Sequence, residues 1–281
     1  MARRFEVNGA SGLLRAGPIA LMAVATVIFT FVLYDSRQRF VSLQAPAFAT
    51  GWWLFATVMT LVLFNLRKKL PMVPAGRASG WLLYHAVAGV LAAALFCVHI
   101  HGFWPRGLYE QALAALFWSV TLSGVCGYII QKLYPRHLVT VGGEVLFERV
   151  PSEVARLRGA AENVVLKATA EAGNDTLGRH YLDTLDWFFR KPRFLVSHAF
   201  LGRRSLHWLA LQRRALEGYL NEAEKAHLLR LAALAEEKDR IDTHYTLQGL
   251  MKLWLLVHVP LSFATMTLAC WHVIVVHVFI P

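Results

Sequence analysis

The sequence predicts an all-α membrane protein: a bundle of five transmembrane helices, with a mainly helical cytoplasmic insertion that starts with a small β-hairpin. Three observations carry this expectation. The chain is 56% hydrophobic over 281 residues, with nine Trp and a positive mean hydropathy. Apolar runs long enough to cross a bilayer recur along it. Between two of them, residues 135–246 hold 15 of the 18 acidic residues beside 17 Lys and Arg, which is the composition of a water-facing segment. Helices 1 to 4 are therefore expected within 1–134, the insertion over 135–246 and helix 5 within 247–281.

The first helix is expected from Pro18 to Tyr34, after a short basic start with Arg3, Arg4 and Arg15. Its apolar run is too long for the core of a signal peptide, and no small-residue cleavage site follows it cleanly. The second spans Gly51 to Leu66, with Trp52 and Trp53 suited to the interfacial belt. Arg67-Lys-Lys-Leu-Pro71 and Arg77 then form the densest basic cluster in any short loop, which places that loop in the cytoplasm. The third helix runs outward from Trp81 to Phe103, and the fourth returns from Gln111 to Tyr134. The fifth leaves the cytoplasm near Leu250 and carries Pro260, which is expected to kink it. The N-terminus is thus expected inside and the C-terminus outside, in the inner (plasma) membrane of a bacterium.

In the insertion, Gly142-Gly143 within Leu138 to Phe147 reads as a two-residue hairpin turn. Pro151-Ser152 opens a helix to about Ala172, and Asn174-Asp175 opens another through Tyr181 and Trp187 to Phe189. Helical periodicity follows over Ser205–Leu220 and Glu222–Asp242. His137, His180, His198, His207, His227 and His244 share no metal-site spacing and read as ordinary polar residues.

The chemistry of the chain points to the third and fifth helices. Each carries two histidines fourteen residues apart: His85 and His99, then His258 and His272. Fourteen residues are close to four helical turns, so each pair shares one helix face, about 21 Å apart along the axis. Both helices run in the same direction, so His85 is expected to face His258 at the inner level and His99 to face His272 at the outer level. Neutral imidazole is a standard axial ligand for haem iron, and this geometry suits two haem b groups stacked across a membrane. Gly89 and Ala92 on one ligand face, and Ser262, Thr265 and Ala269 on the other, would leave room for flat macrocycles. Phe96 is the exception, an aromatic that can stack on a porphyrin edge. Arg77 and Arg106 are candidate partners for haem propionates, with Lys252 near the inner surface. His101 and His277 lie about 160° and 100° around their helices from His85 and His258. They read as interfacial residues, or as neighbours of a quinone or a propionate.

The paired histidines on two helices, with one helix between them, resemble the haem-binding core of two families. One is the cytochrome b of bc-type complexes; the other is the membrane domain of ferric reductases and NADPH oxidases. The resemblance covers about Trp81–Tyr134 and Leu250–Phe279, and it implies that His85, His99, His258 and His272 are axial ligands of haem iron. The oxidase-type enzymes carry a flavin and nicotinamide domain after the last helix. This sequence ends at Pro281 without a glycine-rich nucleotide fingerprint. Electrons are therefore expected to pass between a quinone or redox partner subunits, with a partner docking at the cytoplasmic face.

The net charge of +11 is a poor nucleic-acid footprint, because the excess sits at the membrane edges rather than on one face. Cys97, Cys126 and Cys270 fall in apolar runs with no C-x-x-C, which argues against an iron–sulfur cluster or structural zinc; they read as small buried hydrophobes. Arg190-Lys-Pro-Arg193 and Arg203-Arg204 suit either lipid phosphates or an acidic redox partner. The leading expectation is the electron-transfer subunit of an oxidoreductase complex. Two others stand beside it: a ferric-reductase-like metal or oxygen reductase, and a membrane scaffold or transporter whose histidines are structural or carry protons.

Overall fold

The computed structural model describes residues 8–69, 78–143 and 145–279, with the side chains of 8–16, 63–69 and 172 excepted. The described residues form α1 (Asn8–Val41), α2 (Pro46–Lys69), α3 (Ala78–His99), α4 (Leu108–Val141), α5 (Val150–Ala172), α6 (Thr176–His180), α7 (Asp186–Arg190), α8 (Leu195–Ala199), α9 (Arg204–Glu217) and α10 (Glu222–Phe279). A 3₁₀ turn covers Phe147–Arg149, and a π-helical turn, Tyr181–Leu185, joins α6 to α7. Four of these helices, over Gly17–Val41, Ala78–His99, Leu108–Val141 and Glu222–Phe279, include windows long and apolar enough to cross a membrane. The described apolar part of α2, Pro46–Val62, is shorter. The molecule is all-helical, and its long apolar helices fit an integral membrane protein.

The chain divides into two compact units, one of residues 1–128 with 256–281 and the other of 129–255. In the first, α1, α2 and α3 pack against one another. Phe31 of α1 meets the edge of Trp53 of α2 at 5.9 Å. Ala92 and Phe96 of α3 are buried with Ala114 and Phe117 of α4, and Leu54, Val58 and Leu61 of α2 close over them. Phe96 stacks on Phe117 at 4.2 Å, so its ring face already has a protein partner. Ile19, Val27, Val90, Leu122 and Phe263 stay exposed, as side chains facing lipid would.

The second unit has an ordinary water-soluble core of Leu157, Ala161, Val165, Leu177, Phe188, Phe189 and Leu231. α5 ends at Gly173, whose φ of 66° requires the left-handed region that glycine enters without penalty. α10 starts with a reciprocal cap. Glu224 N–H donates to Asn221 Oδ1 at 2.8 Å, and Asn221 N–H donates to Glu224 Oε2 at 3.1 Å. One turn of α10 buries an ion pair, Lys238 with Asp242 at 2.6 Å, both fully enclosed.

Two expectations are corrected. No strand occurs among the described residues, and the expected hairpin is absent. Leu138 to Val141 belong to α4, which continues through Pro135; Gly142 and Gly143, at φ 73° and 74°, end the helix instead of turning a hairpin. Cys126 is exposed, not buried, as an apolar side chain on a lipid-facing helix can be. Three histidines of the second unit lie in its interior. His198, His227 and His244 are buried, with Thr243, Glu171 and the Gly142 carbonyl as partners.

Candidate functional site

All four sequence-selected histidines lie in the first unit, and they meet as two pairs. The imidazole centres of His85 and His258 are 6.4 Å apart with ring planes at 76°. Those of His99 and His272 are 6.4 Å apart at 85°. The pairing follows from the fourteen-residue step on α3 and on α10, so one registration of the two helices satisfies both pairs.

The identical separation has a chemical meaning. A metal bound between two imidazole nitrogens at about 2.0–2.1 Å, with roughly 1.1 Å from each nitrogen to its ring centre, sets the centres about 6.2–6.4 Å apart. Both pairs stand at that distance. Edge-to-face contact between two rings also falls in this range, with centres about 4.5–7 Å apart; what distinguishes these pairs is the same separation found twice on one fourteen-residue step.

Neighbouring helices contact all four rings. His99 Nδ1 lies 3.0 Å from the Ala47 carbonyl and 3.4 Å from Thr50 Oγ1 on α2. A carbonyl only accepts, so Nδ1 carries the proton and Nε2 presents a bare lone pair, the tautomer a metal ligand needs. Gly51 makes the approach possible: a Cβ there would stand 3.0 Å from His99 Cε1. His85 has the backbone of Leu61 as its partner on the same helix. Ala47 and Leu61 are themselves fourteen residues apart, so α2 repeats the period of the helix it supports. On α4, Ser123 Oγ is 3.2 Å from His258 Nδ1, and Gly124 lies beside the same ring. His272 is covered by the Tyr109 ring, nearly parallel at 6.0 Å, and the Tyr109 hydroxyl donates to the Leu268 carbonyl one turn earlier on α10.

These supporting residues, Ala47, Thr50, Gly51, Ser123 and Tyr109, were not legible as site residues from spacing alone. Two of the partners are backbone carbonyls, which leave no signature in a sequence. Gly51 and the Ser123-Gly124 pair were the available cue, since small residues in apolar helices mark close approaches.

The other candidates fall as follows. Gly89 is on α3 with no atom within 4 Å of where its Cβ would be, so space adjoins it. The Ser262 hydroxyl donates to the His258 carbonyl at 2.7 Å. Thr265 is buried and donates to the Leu261 carbonyl at 2.8 Å. Arg106 is exposed in the turn between α3 and α4. Arg77 lies outside the described residues. Lys252 pairs with Glu148 and sits over the Phe147 ring at 4.3 Å within the second unit. His101 ends α3 with a left-handed φ of 53°. His277 is flanked by Phe48 and Trp52, and its Nδ1 is 2.8 Å from the Val273 carbonyl.

No group of three or more His, Cys, Asp or Glu that could hold a metal occurs among the described residues. Comparison with known protein families, with characterised proteins and with solved structures returns no match.

Proposed function

We propose that this protein is a dihaem b-type cytochrome of five membrane-spanning helices, with its N-terminus in the cytoplasm, that transfers electrons across the membrane. The observation that carries the reading is the pair of facing imidazoles, repeated twice at 6.4 Å, with no group of three or more candidate metal ligands among the described residues. A bare metal ion held by two histidines lacks the remainder of its coordination shell. Haem brings four equatorial nitrogens of its own and needs two axial ligands, which is what each pair offers.

Bound haem would supply one-electron chemistry, and the chain sets its conditions. His85 with His258, and His99 with His272, would each hold one haem through two imidazoles and leave its iron without an open site for oxygen or substrate. This favours electron transfer over oxygen reduction at either centre. Hydrogen bonds at Nδ1 of His99, from α2, and of His258, from Ser123, would fix those imidazoles and raise their basicity. Packed helices exclude water and supply a low dielectric around the centres. Space beside Gly89, and the short side chains of Ser262 and Thr265, accommodate the macrocycles in this reading.

The donor and acceptor are a quinone or redox partner subunits. The second unit is the docking platform for a partner at the cytoplasmic face, and Arg106 faces a propionate on the other side. A reduced-minus-oxidised visible spectrum of the purified chain tests the cofactor. Replacing His99 or His272 by Ala should remove one haem and spare the other; full haem content in both variants would overturn the pairing. Quinol oxidation set against ferric reduction then separates electron-transfer subunit from metal reductase.

A further inference from the structure

The second unit carries a surface with no counterpart in the haem reading and independent of it. From Trp187 to Leu216 the sequence has seven Lys and Arg and no Asp or Glu, whereas the rest of 135–246 is net acidic. Arg190 is engaged with Asp186, and Arg193 lies over the Trp187 ring at 4.4 Å. Lys191, Arg203 and Arg204 are exposed, and none has an ion-pair partner among the described residues. Between these two basic groups, the short helix α8 and the turn after it turn large apolar side chains outward: Val196 is 73% exposed and Phe200 83%, with Leu195 beside them.

This tip is held, not loose. Phe194 and Leu201, on either side of α8, both have left-handed φ, 54° and 56°, a conformation bulky residues rarely adopt. The strain is maintained from beneath by buried polar groups. Arg193 N–H donates to Asp242 Oδ2 at 3.0 Å, and Lys238 Nζ donates to the Lys191 carbonyl at 2.8 Å. His198, the inward residue of α8, meets Thr243 Oγ1 at 3.1 Å. Gly202 N–H donates to the Ser197 carbonyl at 2.7 Å. A strained loop fixed by a buried ion pair, in order to present Val196 and Phe200 to solvent, makes physical sense if something covers them.

Position and charge identify the cover. The Tyr134 hydroxyl donates to the Ala199 carbonyl at 2.9 Å. Tyr134 is on α4 where the apolar run gives way to Pro135-Arg136-His137, with Ile129 and Leu133 still exposed just before it. That is where an apolar helix meets the headgroups, and aromatic residues favour that level. Apolar side chains flanked by unpaired cations are the pattern of an interfacial element, with apolar groups in the acyl boundary and cations among phosphates. We propose that the Trp187–Leu216 stretch is a membrane-docking face that seats on a leaflet containing anionic phospholipid, α8 and Phe200 entering the interface and Lys191, Arg203 and Arg204 pairing with phosphate. An acidic protein partner is the competing occupant, and the test separates the two.

The full chain, with Cys97, Cys126 and Cys270 replaced by Ala and a spin label on Val196→Cys, is placed in nanodiscs of phosphatidylcholine alone or mixed with phosphatidylglycerol. Collision with oxygen, which concentrates in lipid, is compared with collision with a water-soluble nickel chelate; a label on Glu222→Cys, at the start of α10, serves as the aqueous control. The expected result in acidic discs is an oxygen-to-nickel ratio several-fold above the control, falling back in the Lys191→Gln, Arg203→Gln, Arg204→Gln triple variant and in high salt. In native sequence, amides of 194–202 should exchange more slowly in acidic than in neutral discs, a readout that needs no cysteine replacement. A ratio equal to the control in acidic discs, with unchanged exchange, overturns the proposal. So does shielding that arises only when a soluble cytoplasmic fraction is added, or equal depth in neutral and acidic discs.

Discussion

Gly51→Ala is the sharpest perturbation of the His99–His272 centre. The added methyl would stand 3.0 Å from His99 Cε1 and 3.3 Å from Nδ1. Ordinary carbon contacts begin near about 3.5 Å, so the ring must retreat by about 0.5 Å. That motion lengthens the 3.0 Å hydrogen bond from Nδ1 to the Ala47 carbonyl toward its limit. It also displaces Nε2 by more than the ~0.2 Å tolerance of a metal–ligand bond. Overpacking of this kind costs about 1–3 kcal/mol, which at about 1.4 kcal/mol per tenfold weakens haem retention roughly 5- to 150-fold at this centre. The His85–His258 centre should be unaffected, because Gly51 touches neither ring. Gly124→Ala is the matched control: its methyl would lie 3.6 Å from His258 Cε1, an ordinary contact. The assay is the rate of haem loss on detergent dilution, with midpoint potentials from a redox titration. Unchanged loss from both centres, or loss confined to the His85–His258 centre, would refute the geometry.

Gly89→Ala should leave the haem-free chain unharmed, or stabilise it by up to about 1 kcal/mol through helix propensity, since, its own helix backbone and chain neighbours aside, no atom of the described residues lies within 4 Å of the new methyl. If a macrocycle occupies that space, the same change lowers haem content, so apo stability and haem stoichiometry move in opposite directions. Arg106→Gln should lower the midpoint potential of the His99–His272 haem slightly and leave the other alone, because an exposed cation acts through screened charge; equal shifts at both haems would place Arg106 elsewhere. In the second unit, Lys238→Met strands the buried Asp242 carboxylate and should destabilise by about 3–5 kcal/mol in chemical denaturation. Adding Asp242→Leu should recover part of that loss but not all, since the Arg193 N–H and the Lys191 carbonyl remain without the partners they have now.

How much of this was legible in the sequence depends on whether a feature has a period or only a partner. The histidine pairs have a period: fourteen residues on α3 and on α10 fix a common face and, once the helices run in parallel, the pairing. The supporting contacts have only partners. Ala47 and Leu61 contribute backbone atoms, and Thr50 differs in no visible way from other threonines of apolar helices. The hairpin was misread because Leu138, Val139 and Thr140 before Gly142-Gly143 carry a strand-like composition. In the structure the α4 hydrogen-bond ladder continues past Pro135 and makes the glycines a helix stop. α10 was expected as a soluble helix and a separate membrane helix, since composition changes near Leu247. The helix itself needs no break there, and its only glycine, Gly249, leaves room for the Phe147 ring, whose Cε2 would stand 3.2 Å from a Cβ at that position. The buried polar network of the second unit was hidden for a related reason: Lys238 and Asp242, one turn apart, look like any exposed helical ion pair until the fold buries them.

The most direct test of the central claim is the electron paramagnetic resonance of the oxidised, purified chain, with haem counted chemically against protein. Two haem b per chain are expected, both low-spin with two imidazole ligands. The near-perpendicular ring planes, at 76° and 85°, keep two iron d orbitals close in energy, so the low-spin signals should be strongly anisotropic. His85→Ala or His258→Ala should erase one signal, and His99→Ala or His272→Ala the other. A chain that purifies folded but without haem, or whose haem signals survive all four replacements, would contradict the account.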